Sequence, residues 1–199
     1  MNTTDDRTAL ATDEDTTSPH RSSGVETAPV LSAVWPLLRI AMALIFLWTF
    51  LDKTFALGFS TGRDAKTGAV DVFGPAAWIH GASPTTGFLE FGTQGPLAPL
   101  FKALAGDVVV DWLFMLGMGG VGVALLLGIA TRIATVAGVA LMVLLRLAVW
   151  QSPNNPIVDE HLVYALVLIA LALTPAAGRL SLDAFWQRLP IVRRLPILR

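Results

Sequence analysis

The chain has 199 residues, of which 54% are hydrophobic and only 15% charged, with a formal net charge of -1 and no cysteine; its mean hydropathy is +0.63. Such a composition describes an integral membrane protein and leaves no broad basic surface for nucleic acid. The absence of cysteine excludes disulfides, thiolate metal sites, cysteine-ligated iron–sulfur clusters and a thiol relay within this chain.

Residues 1–30 are rich in Thr, Asp, Ser and Glu and have no apolar periodicity. They are predicted to form a disordered tail, without the apolar core of a signal peptide. The membrane domain is predicted over 31–175, and its first span over 33–51. Trp35 stands there as an interfacial anchor, Pro36 in the first helical turn and Arg39 as a snorkelling cation. Asp52 and Lys53 then mark the membrane surface.

Residues 52–110 form a long loop rich in Gly and Pro. It contains VFGPAAWIHGASPTTGFLEFG and GPLAPLFKALAG, whose Trp78, Phe88, Leu89, Phe91, Leu97 and Phe101 are too apolar for a free loop. Short interfacial or re-entrant helices are expected in it.

The second and third spans are expected over 111–130 and 133–150. Gly120, Ala124 and Gly128, at intervals of four, and Ala134 with Gly138 suggest close helix approach. Pro153 and Pro156 then break the chain, and a fourth, short span follows over 162–173. Asp159, Glu160 and His161 lie at its N-terminus, where unpaired N–H groups and the helix dipole favour carboxylates. Arg146 lies inside the apolar run before the break, so it must snorkel or meet one of these carboxylates.

After Pro175 comes a basic amphipathic segment, 176–199, suited to an anionic lipid surface. The arginines of that segment and Arg132 in the turn between the second and third spans place both termini in the cytoplasm, with the long loop outside. The expected fold is therefore an all-α, four-transmembrane-helix bundle with a long extracytoplasmic loop.

This topology brings Asp52, Lys53, Arg146, Asp159, Glu160 and His161 to one level, with His80 and Glu90 in the loop able to fold over them. The functional reading is a pocket with cations for a small oxyanion and a carboxylate or imidazole for proton transfer. Asp52, Lys53 and Asp159 read first as interfacial ion pairs and caps, whereas Arg146, Glu160 and His161 read first as functional. Trp150 and Tyr164 can flank a quinone ring or form part of an aromatic belt. His80 and His161 lack a third ligand pattern, so no metal is expected. No Walker, GxGxxG or GxSxG motif occurs.

The segments FLDKTFALGF at 50–59, WIHGASPTTGFL at 78–89, DWLFMLGMGGVGVALLLGIATR at 111–132 and NNPIVDEHLVYALVLIALAL at 154–173 together resemble the bacterial DoxX/DoxD membrane proteins. The closest likeness is to those named as the large subunit of thiosulfate:quinone oxidoreductase, and it covers roughly residues 33–173. It implies a four-helix bundle of the bacterial cytoplasmic membrane that joins two thiosulfates to tetrathionate and reduces a membrane quinone, with a small oxidoreductase subunit as partner. Lys53, Arg146 and Asp52 would then bind the substrate, His161, Glu160 and Asp159 would move protons, and Trp150 and Tyr164 would contact the quinone. Related proteins often carry a glutamate in the second span where this chain has Gly117, Met118 and Gly119. The rival readings are a non-catalytic scaffold for soluble redox or respiratory partners, and a small-solute transporter; a homo-oligomer is compatible with each. Almost no mid-span polar residues support transport.

Overall fold

The computed structural model describes residues 28–150, 155, 157–174 and 181–195, with side chains from 33 onward. The expected tail at 1–30 falls almost wholly outside these residues, as do parts of the corner and of the basic segment. The helices are α1 (Ala28–Phe55), α2 (Ala98–Ala103), α3 (Val108–Leu127), α4 (Thr131–Ala148), α5 (Glu160–Leu173), α6 (Asp183–Trp186) and α7 (Pro190–Arg194). A 3-10 turn at Trp78–His80 and a π-helical turn at Phe88–Gly92 lie in the loop between α1 and α2.

Among the described residues three helices are long and apolar enough to cross a membrane, over Ala33–Phe55, Val108–Leu127 and Thr131–Ala148. Their flanks expose Leu44, Leu113, Leu116, Val136 and Val143, a surface that only lipid can cover without cost. The chain is thus an all-α, multi-pass integral membrane protein. The apolar α5 has only 14 residues, about 21 Å at ~1.5 Å per residue, which is less than the roughly 30 Å hydrocarbon core.

The helices pack in the order α1, α3, α4, α5, and α5 closes the ring against α1. Their common core is built from Met42 and Phe46 of α1, Met118 and Leu125 of α3, Met142 of α4 and Leu168 of α5. Small residues set the approach distances, but in α3 they are not on the face that the four-residue spacing suggested. Gly120 faces open space, whereas a Cβ at Gly122 would come within 2.6 Å of Leu47 and one at Gly119 within 3.0 Å of Phe50. In α4 the expectation for Gly138 holds, since a Cβ there would lie 2.8 Å from Leu168. Gly128 ends α3 in a left-handed conformation with φ 67°, a role that glycine fills without steric penalty.

Arg39 departs most from expectation. It is 1% exposed and lines a cavity of about 220 Å³ with Gly128, Thr131, Thr135, Thr174 and Asp183. The C-terminal ends of α3 and α5 converge there, and their partial negative charge favours a guanidinium inside the bundle over one that snorkels out. A Cβ at Gly128 would collide with that guanidinium. Beside it, Leu182 N–H donates to Leu127 O at 2.9 Å and ties the chain before α6 to the end of α3.

At the other end of the bundle the long loop forms a cap. Leu89 and Phe101 pack with Ala148 of α4, joined by Phe88, Leu97 and Leu104. Gln94 N–H donates to Ala148 O at 2.9 Å, which satisfies a carbonyl that the end of α4 leaves open. Phe88, Leu89, Leu97 and Phe101 thus cover the end of the bundle, whereas Phe91, also expected to be covered, is 83% exposed.

Candidate functional site

The last turn of α1 carries adjacent charges with separate roles. Asp52 is 1% exposed; it accepts from Phe59 N–H at 3.0 Å, Ser60 N–H at 2.9 Å and the Ser60 hydroxyl at 2.6 Å. Those bonds reverse the chain after α1, so Asp52 organises the loop. Lys53, partly buried, stands 5.9 Å over the ring of Phe114, within cation–π range.

Across from Lys53 the first turn of α3 brings in a residue that the sequence marked only as the start of a span. Asp107 caps α3 by accepting from Val109 N–H and Val110 N–H, and this sets the helix phase. Asp111 is consequently turned inward, 6% exposed, and accepts from the hydroxyls of Ser83 at 2.8 Å and Thr85 at 2.5 Å. Both Asp52 and Asp111 act electrostatically on the Lys53 ammonium.

The corner between α4 and α5 converges on Asp159, the N-cap of α5. Its Oδ1 accepts from Leu162 N–H at 3.1 Å and faces Arg146 Nε at 3.5 Å, while Oδ2 lies 2.9 Å from His161 Nδ1. Arg146 thus meets a carboxylate, as its place in the apolar run required, and its Nη1 also donates to Trp150 O at 2.6 Å. Burial pushes the Asp159 carboxyl up, but hydrogen bonds from His161 and Leu162, with the charges of His161 and Arg146, outweigh it and hold the group below the usual carboxylate range. Asp159, Glu160 and His161 bring ligand-capable atoms within 4.8 Å of one another, yet both Asp159 oxygens are already engaged.

Between the cap and the bundle core lies a cavity of about 1010 Å³, at the upper end of the size range for small-molecule sites. Its walls are mostly apolar, with Phe46, Phe88, Phe101, Phe114, Met118 and Met142 among them. Its polar lining includes Lys53, Ser83, Thr85, His161 and Tyr164. Of the residues that the sequence singled out, Lys53, His161 and Tyr164 meet here. Asp52, Arg146, Asp159, Glu160 and Trp150 do not line it. Trp150 instead packs its side chain against Gly95, and His80 and Glu90 are exposed on the loop.

Comparison of the chain with family models, with curated proteins and with solved structures gave no match. The chemistry therefore has to be read from the cavity itself.

Ile45, Leu113 and Leu144 line the cavity and are 38%, 65% and 52% exposed on the flanks of α1, α3 and α4. The cavity wall is thus continuous with the lipid-facing surface. With Nδ1 held by Asp159, the ring edge that carries Nε2 is left to serve the cavity, so the corner can fix the orientation of an imidazole beside an apolar ligand. Asp111, Ser83 and Thr85 were not legible as site residues, because the loop has no periodicity to set their direction.

Proposed function

We propose that this chain is the membrane subunit of a quinone-linked oxidoreductase and that the cavity beneath the loop is its quinone site. The observation that carries this reading is the His161 imidazole on the wall of a large apolar cavity, with its Nδ1 held by a buried carboxylate. Reduction of a quinone to a quinol takes up two electrons and two protons, so the site needs an aligned proton donor beside an apolar ring pocket. His161, whose side chain is partly exposed, delivers the two protons in turn and regains one from solvent between them. Lys53 donates a hydrogen bond to a quinone carbonyl, and Tyr164 lies against the ring. The resemblance to the DoxX/DoxD proteins points the same way, and the arginine distribution supports a loop on the outer face.

The resemblance also suggests thiosulfate as electron donor, two thiosulfates giving one tetrathionate and two electrons. In this chain Arg146 is engaged with Asp159 and Trp150, and Lys53 already feels the charges of Asp52 and Asp111. A dianion would therefore meet the complex outside the cavity, on the loop or a partner subunit, and with no cysteine in this chain electrons would reach the quinone through a partner's cofactor or by direct contact. The pairwise satisfaction of Asp52, Arg146 and Asp159 favours a second reading, a non-catalytic scaffold.

The deciding experiment is reduction of decylubiquinone by the protein in nanodiscs, with and without thiosulfate and with co-purifying subunits retained. Thiosulfate-dependent turnover that falls about 100-fold or more in His161→Gln supports the enzyme, a factor in the range of lost general acid catalysis. Absence of turnover in wild type, with no protection of the cavity by quinone against chemical labelling, leaves the scaffold.

A further inference from the structure

The polar end of the cavity has an unusual charge balance. Asp52 adjoins Lys53 in the last turn of α1, and Asp111 bonds two hydroxyls of the cavity wall that Lys53 also lines. Two carboxylates thus act on one ammonium, and the formal balance is one negative charge. Asp52 is committed to three hydrogen bonds in the turn after α1. Asp111 is committed to Ser83 and Thr85, both of which line the cavity. Both hydroxyl protons point to Asp111; the Ser83 oxygen already accepts from Thr86 N–H and the Thr86 hydroxyl, so the Thr85 oxygen is the one that offers lone pairs to a ligand. Beside Asp111 the cavity therefore presents the Lys53 ammonium as a donor and the Thr85 hydroxyl as an acceptor, inside apolar walls where charge is poorly screened.

We infer that this cavity takes uncharged amphiphiles from the bilayer and rejects anionic ones, and that Asp111 sets the discrimination. This rests on the cavity being a ligand site, as proposed above, but not on any redox step. A carboxylate or phosphate head brought to Lys53 would be repelled by the charges of Asp52 and Asp111 behind the wall, and it would lose its hydration on entering. A neutral head with a carbonyl and a hydroxyl accepts from Lys53 and donates to Thr85, and no charge is transferred out of water. The tail lies among the cavity's aromatic and methionine side chains. Entry is lateral, past Ile45, Leu113 and Leu144. Asp111 acts as a specificity-determining residue through its charge.

The test compares two probes of equal tail length, monodecanoylglycerol and decanoate, on the full chain in phosphatidylcholine nanodiscs at pH 8. Each competes against a diazirine-tailed monoacylglycerol, and labelling of the cavity-lining peptides of α3 and α4 is read by mass spectrometry. The expected result is competition by the neutral probe at a bilayer concentration at least tenfold below that of decanoate. Asp111→Asn keeps an acceptor for Ser83 and Thr85 and should shift the ratio toward decanoate by about tenfold, the factor expected for ~1.4 kcal/mol. Lys53→Gln should shift it the other way and provides the answer should Asp111→Asn fail to fold. Glu90→Gln, exposed on the loop and off the cavity, should leave it unmoved. Equal or better competition by decanoate in wild type, an unmoved ratio in the folded variants, or no labelling at all overturns the inference. Neutral-selective labelling without quinone turnover would sink the oxidoreductase reading and leave this one standing.

Discussion

His161 Nδ1 lies 2.9 Å from Asp159 Oδ2, which joins the cap of α5 and the wall of the cavity in one hydrogen-bonded unit. The carboxylate that begins the helix also holds the imidazole and, through Oδ1, faces Arg146 at the end of α4. A change at Asp159 is therefore felt by the fold and by the site together.

The Asp159 carboxyl is held below its ordinary range in the folded protein. Its stabilising contribution is consequently complete above about pH 4, the range of an unfolded aspartate, and is lost as pH falls through the lower folded value. Asp159→Asn retains an acceptor for Leu162 N–H and removes the charge, so its melting temperature should fall less steeply than wild type as pH drops below about 4. Asp159→Ala also removes the cap and should cost about 1 kcal/mol more. Thermal melts in detergent across this pH range check both, and identical slopes for wild type and Asp159→Asn would show that the pairing contributes nothing.

Asp52 makes a different kind of claim, since its three acceptor contacts turn the chain into the loop. Asp52→Ala leaves Phe59 N–H and Ser60 N–H without their acceptor and should destabilise the loop by about 2 kcal/mol or more, given the strength of hydrogen bonds to charged groups. Arg63 and Lys66, exposed a few residues on, provide trypsin sites. Faster cleavage there, with the helical signal of the bundle preserved, is the expected outcome; unchanged cleavage would place the loop's stability elsewhere.

How much of this was legible in the sequence depends on the range of the interaction involved. The apolar runs gave the helices to within a few residues, because burial in lipid follows from local composition. The meeting of Arg146 with Asp159 was legible because a short corner holds the two close. Arg39 misled because Trp35 and Pro36 beside it look like a membrane edge; its burial depends on the ends of α3 and α5, which lie far along the chain. Small-residue spacing was ambiguous in phase: Gly120, Ala124 and Gly128 form a face as regular as the one that touches α1, and only packing decides between them. Asp111 needed the loop's path, which no pattern in the sequence encodes.

The glycine contrast in α3 is directly testable. At Gly122 a Cβ would come within 2.6 Å of the Leu47 side chain and 2.9 Å of its backbone nitrogen, so Gly122→Ala forces α1 and α3 apart. Overpacking of this kind costs about 1–3 kcal/mol. Gly120→Ala meets open space and should be neutral or stabilise by up to about 1 kcal/mol through helix propensity. Paired denaturation curves give the answer, and equal effects at the two positions would contradict the α1–α3 contact described here.

Arg39 yields the sharpest structural expectation. Its guanidinium is buried where the C-termini of α3 and α5 converge, beside the Thr131, Thr135 and Thr174 side chains. Arg39→Met keeps most of the volume and removes the charge, so the helix ends lose the cation that offsets their dipoles and the polar cavity lining loses its largest donor. The expected loss is about 2–4 kcal/mol, the scale of removing one member of a buried charged cluster. A residue that merely snorkelled to the membrane surface would tolerate Met with a change below about 0.5 kcal/mol. Hydrogen exchange at the ends of α3 and α5 separates the two roles. Faster exchange there, with the α1 end near Lys53 unchanged, is what an internal Arg39 requires, whereas uniform or absent acceleration would return Arg39 to the surface.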